Sequence, residues 1–134
     1  MRAVVRWVAL TLAVTVLTWG LLRLVSGGSG PDAAPVADGS LSVVDAMSVP
    51  SGERTIVSGF VFVIGPDDMR LCERRDGDPP RCEGTNLLLL QLDPARLDLR
   101  TGTAADGTPI AWSAGAVTVV GTYVGGAVVV DDLL

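Results

Sequence analysis

The sequence predicts an all-β domain with one or two short helices, preceded by an N-terminal transmembrane or signal helix. Three observations carry this reading. An uncharged apolar run lies close to the N-terminus, residues 55–64 (TIVSGFVFVI) are β-branched or aromatic almost throughout, and Gly125-Gly126 separates two valine-rich segments.

At the N-terminus, Arg2 and Arg6 precede an uncharged run over residues 7–22, and Arg23 and a Gly/Ser stretch come after it. This is an export signal, and the positive-inside rule places the rest of the chain outside the cytoplasm. Carried on to Val25 past Arg23, whose stem can snorkel, the helix reaches about 28 Å and just crosses a bilayer. Residues 1–25 are therefore expected to be an uncleaved single-pass anchor in the cell membrane, with the C-terminal domain extracytoplasmic. The alternative is a signal peptide cut near Val25 and Gly27 and a secreted domain, although neither an Ala-x-Ala site nor a lipobox cysteine stands there. Residues 26–39 (SGGSGPDAAPVADG) read as a flexible linker, leaving residues 40–134 as one small domain with a modest core.

Within that domain, Ser42 followed by Asp45 is a capping-box-like start, with Leu41, Val44 and Met47 as the apolar face of a short helix ending before Pro50. Along residues 55–64, Ile56, Phe60, Phe62 and Ile64 alternate with Val57, Val61 and Val63, so both faces of this strand should be buried. Gly59 in its middle marks a bulge or a bend. Residues 65–68 (GPDD) form a turn, and residues 69–73 return as a strand. The RRDGDPPR segment beyond it should be a loop, because two prolines and a glycine interrupt the ladder.

Residues 85–92 (TNLLLLQL) read as a buried strand, and Asp93-Pro94 as the start of a turn or two of helix through about Leu99, with Leu97 inward. Residues 101–109 are expected to be a polar loop. Trp112 should then plug an end of the core or sit half exposed at a loop edge. Residues 116–124 and 127–131 form a hairpin about Gly125-Gly126, where both turn positions tolerate positive φ.

Five strands, a helix between the third and fourth, and a glycine-bent first strand match a five-stranded OB-fold-like Greek-key barrel. The run of LSVVDA, IVSGFVFV, LCERRDGDPPRCEG, a leucine-rich strand, a late tryptophan and VTVVGTYVGGAVVV resembles small exported or membrane-anchored OB-like proteins of high-GC Gram-positive bacteria. The resemblance covers residues 41–130 and is most specific at Leu71-Cys72, Pro79-Pro80, Cys82 and Gly84. It implies a fold and a location, and it brings no activity or site residues with it.

Cys72 and Cys82 are the chain's 2 cysteines. Close in sequence and in an exported chain, they are expected to form a disulfide, the alternative being two independent buried thiols. With 0 histidines, imidazole metal sites and His-dependent triads are excluded. Asp67, Asp68, Asp76, Asp78 and Glu83 offer oxygen ligands, but their spacing fits no EF-hand and Arg74, Arg75 and Arg81 compete among them. Ser51, Ser58 and Ser113 have no visible base, and neither Gly-x-Ser-x-Gly nor Cys-x-x-Cys occurs. No catalytic residue, metal or cofactor is expected, and the chain does not read as an enzyme.

Of the 10 basic residues, Arg2, Arg6 and Arg23 lie at the N-terminus, while all 15 acidic residues lie beyond it, so the rest carries 7 − 15 = −8. Nucleic acid is an improbable partner for such a body. The expected function is a non-catalytic, extracytoplasmic binding module for a protein or envelope component. Its candidate binding edge comprises Arg74, Arg75, Asp76, Asp78, Arg81 and Trp112, beside the Cys72–Cys82 bridge. The alternative is a structural scaffold subunit of a membrane assembly, acting through its anchor.

Overall fold

The computed structural model describes residues 32–134. The anchor or signal expected over residues 1–25 lies outside them, and among the described residues no helix is long and apolar enough to cross a membrane. The described chain is β-rich, as expected, but it has nine strands rather than five: β1 (Asp32–Ala33), β2 (Leu41–Ser42), β3 (Arg54–Gly65), β4 (Asp68–Asp76), β5 (Arg81–Leu90), β6 (Leu99–Thr103), β7 (Pro109–Ser113), β8 (Val117–Val124) and β9 (Ala127–Leu133). One short helix, α1 (Val43–Ala46), and one 3-10 turn, Pro94–Arg96, accompany them.

Five strands close a ring. β3 pairs antiparallel with β4, β4 with β5, β5 parallel with β9, β9 antiparallel with β8, and β8 antiparallel with β3 again. Inside lie Val57, Val61, Leu71, Leu87, Val119 and Val128, all fully buried. β3 makes the closure possible by changing partner along its length. On one edge Arg54–Gly59 lies against β8 and then Phe62-Val63 against β7, while the β4 pairing begins at Phe60. The register slips between Val63 and Gly65, not at Gly59.

Gly59 sits at the change of partner because only a hydrogen fits there. A Cβ would lie 2.8 Å from Leu71 Cγ, 2.9 Å from the Cys72 carbonyl oxygen and 2.9 Å from Val43 Cγ2. Between the two pairings the Val61 amide is served by the buried Ser113 hydroxyl, 3.0 Å away, which meets the rule that a buried N–H finds an acceptor.

Five parts of the chain differ from the sequence reading. α1 is capped by Ser42, whose hydroxyl accepts from the Asp45 amide, but it buries Val43 and Ala46 against β3, β4 and β5. Val44 and Met47, expected inward, are each 45% exposed; the inward stripe lies one residue earlier. Half of the RRDGDPPR segment is ladder, with β4 running to Asp76 and β5 starting at Arg81, because the prolines and Gly77 fall in the turn and interrupt no pairing.

The helix expected through Leu99 is a single turn. Asp93 caps it by accepting from the Ala95 amide, and Leu97 is already extended at φ −108 and ψ 144. Beyond it, Leu99–Thr103 pairs with β7, so the expected loop over residues 101–109 is an inserted β6–β7 hairpin. Part of the expected linker also joins the sheet. Asp32 and Ala33 pair with Arg75 and Arg74, and the Ala34 amide donates to the Glu73 carbonyl at 3.0 Å.

Candidate functional site

The outward face of β3 carries Phe60 and Phe62, both buried although they point away from the ring interior. They form a second small core with Cys72, Cys82, Ala34 and Trp112. The β4–β5 hairpin covers them by coiling back on itself. Its ladder pairs Cys72 with Asn86 and Arg75 with Cys82, with a register shift in which Gly84 and Thr85 together face Glu73. Gly84 has φ +73, and the Glu73 carboxylate accepts from the Thr85 amide at 3.1 Å. Such a bulge bends its strand and increases its twist. Cys82 thereby reaches Cys72, and the two are disulfide-bonded with Cα atoms 5.6 Å apart.

A groove separates the tip of this hairpin from the tip of the β6–β7 hairpin. One part, of 320 Å³, runs between Phe62, Ile64 and Pro80 on one side and Ala104, Thr108 and Ile110 on the other. A neighbouring part, of 260 Å³, is lined by Gly77, Asp78, Pro79 and Ala105, and both parts share Arg81, Ala104 and Ile110. The floor is apolar and the rim is charged. Asp106 closes one end, its carboxylate accepting from the Thr108 amide at 2.9 Å; hydrogen bonds from Thr108 hold its carboxyl below the usual carboxylate range.

The six residues expected to form a binding edge separate by role. Asp78 and Arg81 line the groove, with Arg81 3.5 Å from the Glu83 carboxylate. Asp76 is exposed at the end of β4, beside Arg81 in the ladder. Arg75 turns inward, stacking over Phe60 and donating to the Ser113 and Ala114 carbonyls at 3.2 and 3.3 Å. Arg74 lies along the bulge, its NH2 group 3.0 Å from where a Gly84 Cβ would stand, and its Nε is buried without a hydrogen-bond partner among the described residues. Trp112 packs on the phenylalanine pair and over Gly102, and lines neither part of the groove.

Sequence reasoning missed Ile64, Pro80, Ala104, Thr108 and Ile110 as lining residues. The one sequence signal is the apolar run Pro109–Trp112 directly after the polar segment; Ile64 shows itself only through its 41% exposure in the structure.

The carboxylates stay dispersed. Among the described residues no group of three or more His, Cys, Asp or Glu side chains is placed to hold a metal ion, and Asp68 pairs with Arg70 at 2.7 Å. The Ser58 hydroxyl belongs to a chain of 2.8 Å contacts from Ser40 to Thr118. Comparison with protein-family models, with curated proteins and with solved structures gives no match to this chain.

Proposed function

We propose that the chain is a non-catalytic binding module of the OB type, held at the outer face of the cell membrane by its N-terminal segment and recognising a protein or envelope component through the groove between its two hairpin tips. The ring order β3-β4-β5-β9-β8, with its one parallel pair between β5 and β9, supports the OB reading. Extracytoplasmic placement is supported by Arg2 and Arg6 ahead of the apolar run and by the Cys72–Cys82 bridge, which suits an oxidising compartment.

The observation that carries the binding role is the groove's construction. In an OB barrel the loops joining strands one to two and four to five usually grip the ligand. Here those connections are the bare turns Pro66-Asp67 and Gly125-Gly126, too short to form walls. The walls come instead from the disulfide-tied β4–β5 hairpin and the inserted β6–β7 hairpin, which enclose an apolar floor with a few charges at its rim. That composition is typical of recognition sites.

The test is site-specific photo-crosslinking in native membranes, with the full-length chain carrying the photoreactive residue at Ala105, at Val124 or at Thr15 of the expected anchor. Adducts from Ala105 alone are the expected result. Adducts from Thr15 alone would replace this reading with the scaffold acting through its anchor. A C-terminal reporter active only inside the cell would refute the placement.

A further inference from the structure

We infer that an extended polypeptide segment adds as a further strand to the free edge of β6, beside the groove, and places an apolar side chain against the tip of the β4–β5 hairpin. The inference rests on the binding-module reading and narrows its ligand class to a peptide strand of neutral or basic character.

β6 ends the sheet, pairing with β7 alone among the described strands. The direction of its backbone groups is set by the ladder. The Ala114 amide donates to the Asp98 carbonyl at 3.1 Å and the Ala104 amide to the Thr108 carbonyl at 2.8 Å. Because hydrogen-bonded and non-bonded pairs alternate in an antiparallel ladder, Arg100 and Gly102 also exchange bonds with β7. Leu99, Thr101 and Thr103 therefore direct their N–H and C=O groups away from the sheet.

Proteins usually protect such an edge with proline, lysine, a bulge or a covering element. Leu99–Thr103 (LRTGT) holds no proline, its register with β7 runs unbroken, and Arg100 is its one charged side chain. A row of alternating donors and acceptors at strand spacing is matched by another extended backbone.

The wall beside this edge supplies side-chain recognition. A Cβ placed on Gly102 would lie 2.9 Å from the Trp112 ring and 3.7 Å from Pro79 Cβ, so that ring covers the Gly102 face of β6 and the first hairpin's tip stands beside it. An incoming strand alternates its side chains, and the one opposite Gly102 lies on this face, beside Pro79 and the Trp112 ring. These apolar neighbours suit an aliphatic side chain. Over residues 32–134 the charge is 7 − 15 = −8, which disfavours an acidic segment and favours a basic one.

The experiment uses the full-length chain in detergent micelles and a synthetic probe, acetyl-Lys-Thr-Val-Thr-Val-Thr-Lys-amide. Its control is the same peptide N-methylated at the three central residues, which keeps the side chains but loses those donors. The domain variant is T101P, which removes an outward N–H and blocks the edge without deleting a bond to β7. The expected result is slowed amide exchange at Leu99, Thr101 and Thr103 on adding the probe, with binding weakened about tenfold or more both by N-methylation and by T101P.

Binding that both changes leave intact would overturn the strand-addition inference while leaving a binding module in place. So would an absence of binding up to about 1 mM probe, in which case Ala105 crosslinking in membranes judges the module reading separately. Pairing of two β6 edges into a dimer without peptide would also overturn it.

Discussion

The Arg75 guanidinium lies 4.2 Å from the centroid of the Phe60 ring, and the same side chain donates to the carbonyls of Ser113 and Ala114. One arginine thus joins β4, the outward face of β3 and the end of β7. A stacked cation contributes about 0.5–2 kcal/mol and hydrogen bonds from a charged group about 1.5–3 kcal/mol. Arg75→Ala should therefore cost about 2–3 kcal/mol in denaturant unfolding. Asp76→Asn and Asp78→Asn, at exposed positions, should stay within about 0.5 kcal/mol. Neutralising the whole segment should behave like the Arg75 change alone.

The Cys72–Cys82 bridge joins a fully buried sulfur to a half-buried one at the groove wall. Replacing both residues by serine should cost about 2–4 kcal/mol while strand content by circular dichroism is retained, since the core inside the ring does not include the bridge. Free thiols in the native protein would remove this prediction.

Gly59→Ala tests the crossing point of the ring. The new methyl would meet two core side chains and a backbone carbonyl, all within 3.0 Å, and the carbonyl of Cys72 cannot rotate aside as a side-chain end can. Overpacking of this kind costs about 1–3 kcal/mol, and the upper end is expected here, read as a lower denaturant midpoint. By contrast Gly65→Ala, where a Cβ meets nothing within 4 Å, should be tolerated.

The legible parts of the fold were those set by local pattern. The alternation in residues 55–64 marked a strand buried on both faces, and the structure adds that Val57 and Val61 face one core while Phe60 and Phe62 face another. Gly125 and Gly126 adopt φ +47 and +84 in the expected hairpin turn, and Ser42 caps α1 as its side chain suggested.

What the sequence concealed depends on distant partners. Arg74 and Arg75 look like loop charges until Ala33, Phe60 and Ser113 are brought beside them. Likewise Leu99–Thr103 has weak strand propensity and becomes a strand because Pro109–Ser113, itself tied to β3, offers a ladder. The groove lies between two hairpin tips, and neither tip's sequence names the other.

Asp132 accepts from the Leu133 amide at 2.8 Å and from Arg96 at 3.0 Å, and these contacts hold its carboxyl below the ordinary carboxylate range, the Leu133 amide being the larger cause. A depressed folded-state pKa means stability that is present above the unfolded value and lost as pH falls through the folded one. Its contribution should accordingly be intact at pH 7 and disappear below about pH 4. Asp132→Asn should narrow the difference in melting temperature between neutral and strongly acidic buffer; an unchanged difference would show that the carboxylate does not influence folding.

Single-stranded nucleic acid is the ligand most readily expected of an OB-type barrel, and the residues here argue against it. Such binding needs a basic groove and aromatic faces open to bases. Phe60, Phe62 and Tyr123 are buried at 4%, 3% and 6% exposure, and Trp112 packs on the phenylalanine pair with its ring against Gly102. Arg75 is bound inward, Arg81 is beside Glu83, and Asp78 and Asp106 stand at the groove. Each phosphate brought there would meet carboxylates on a surface already negative overall, with few counterions to release in exchange. Fluorescence anisotropy with a labelled oligothymidylate should therefore show no binding at physiological salt. Micromolar binding that weakens as salt rises would overturn both this prediction and the assignment of a neutral or basic peptide to the β6 edge.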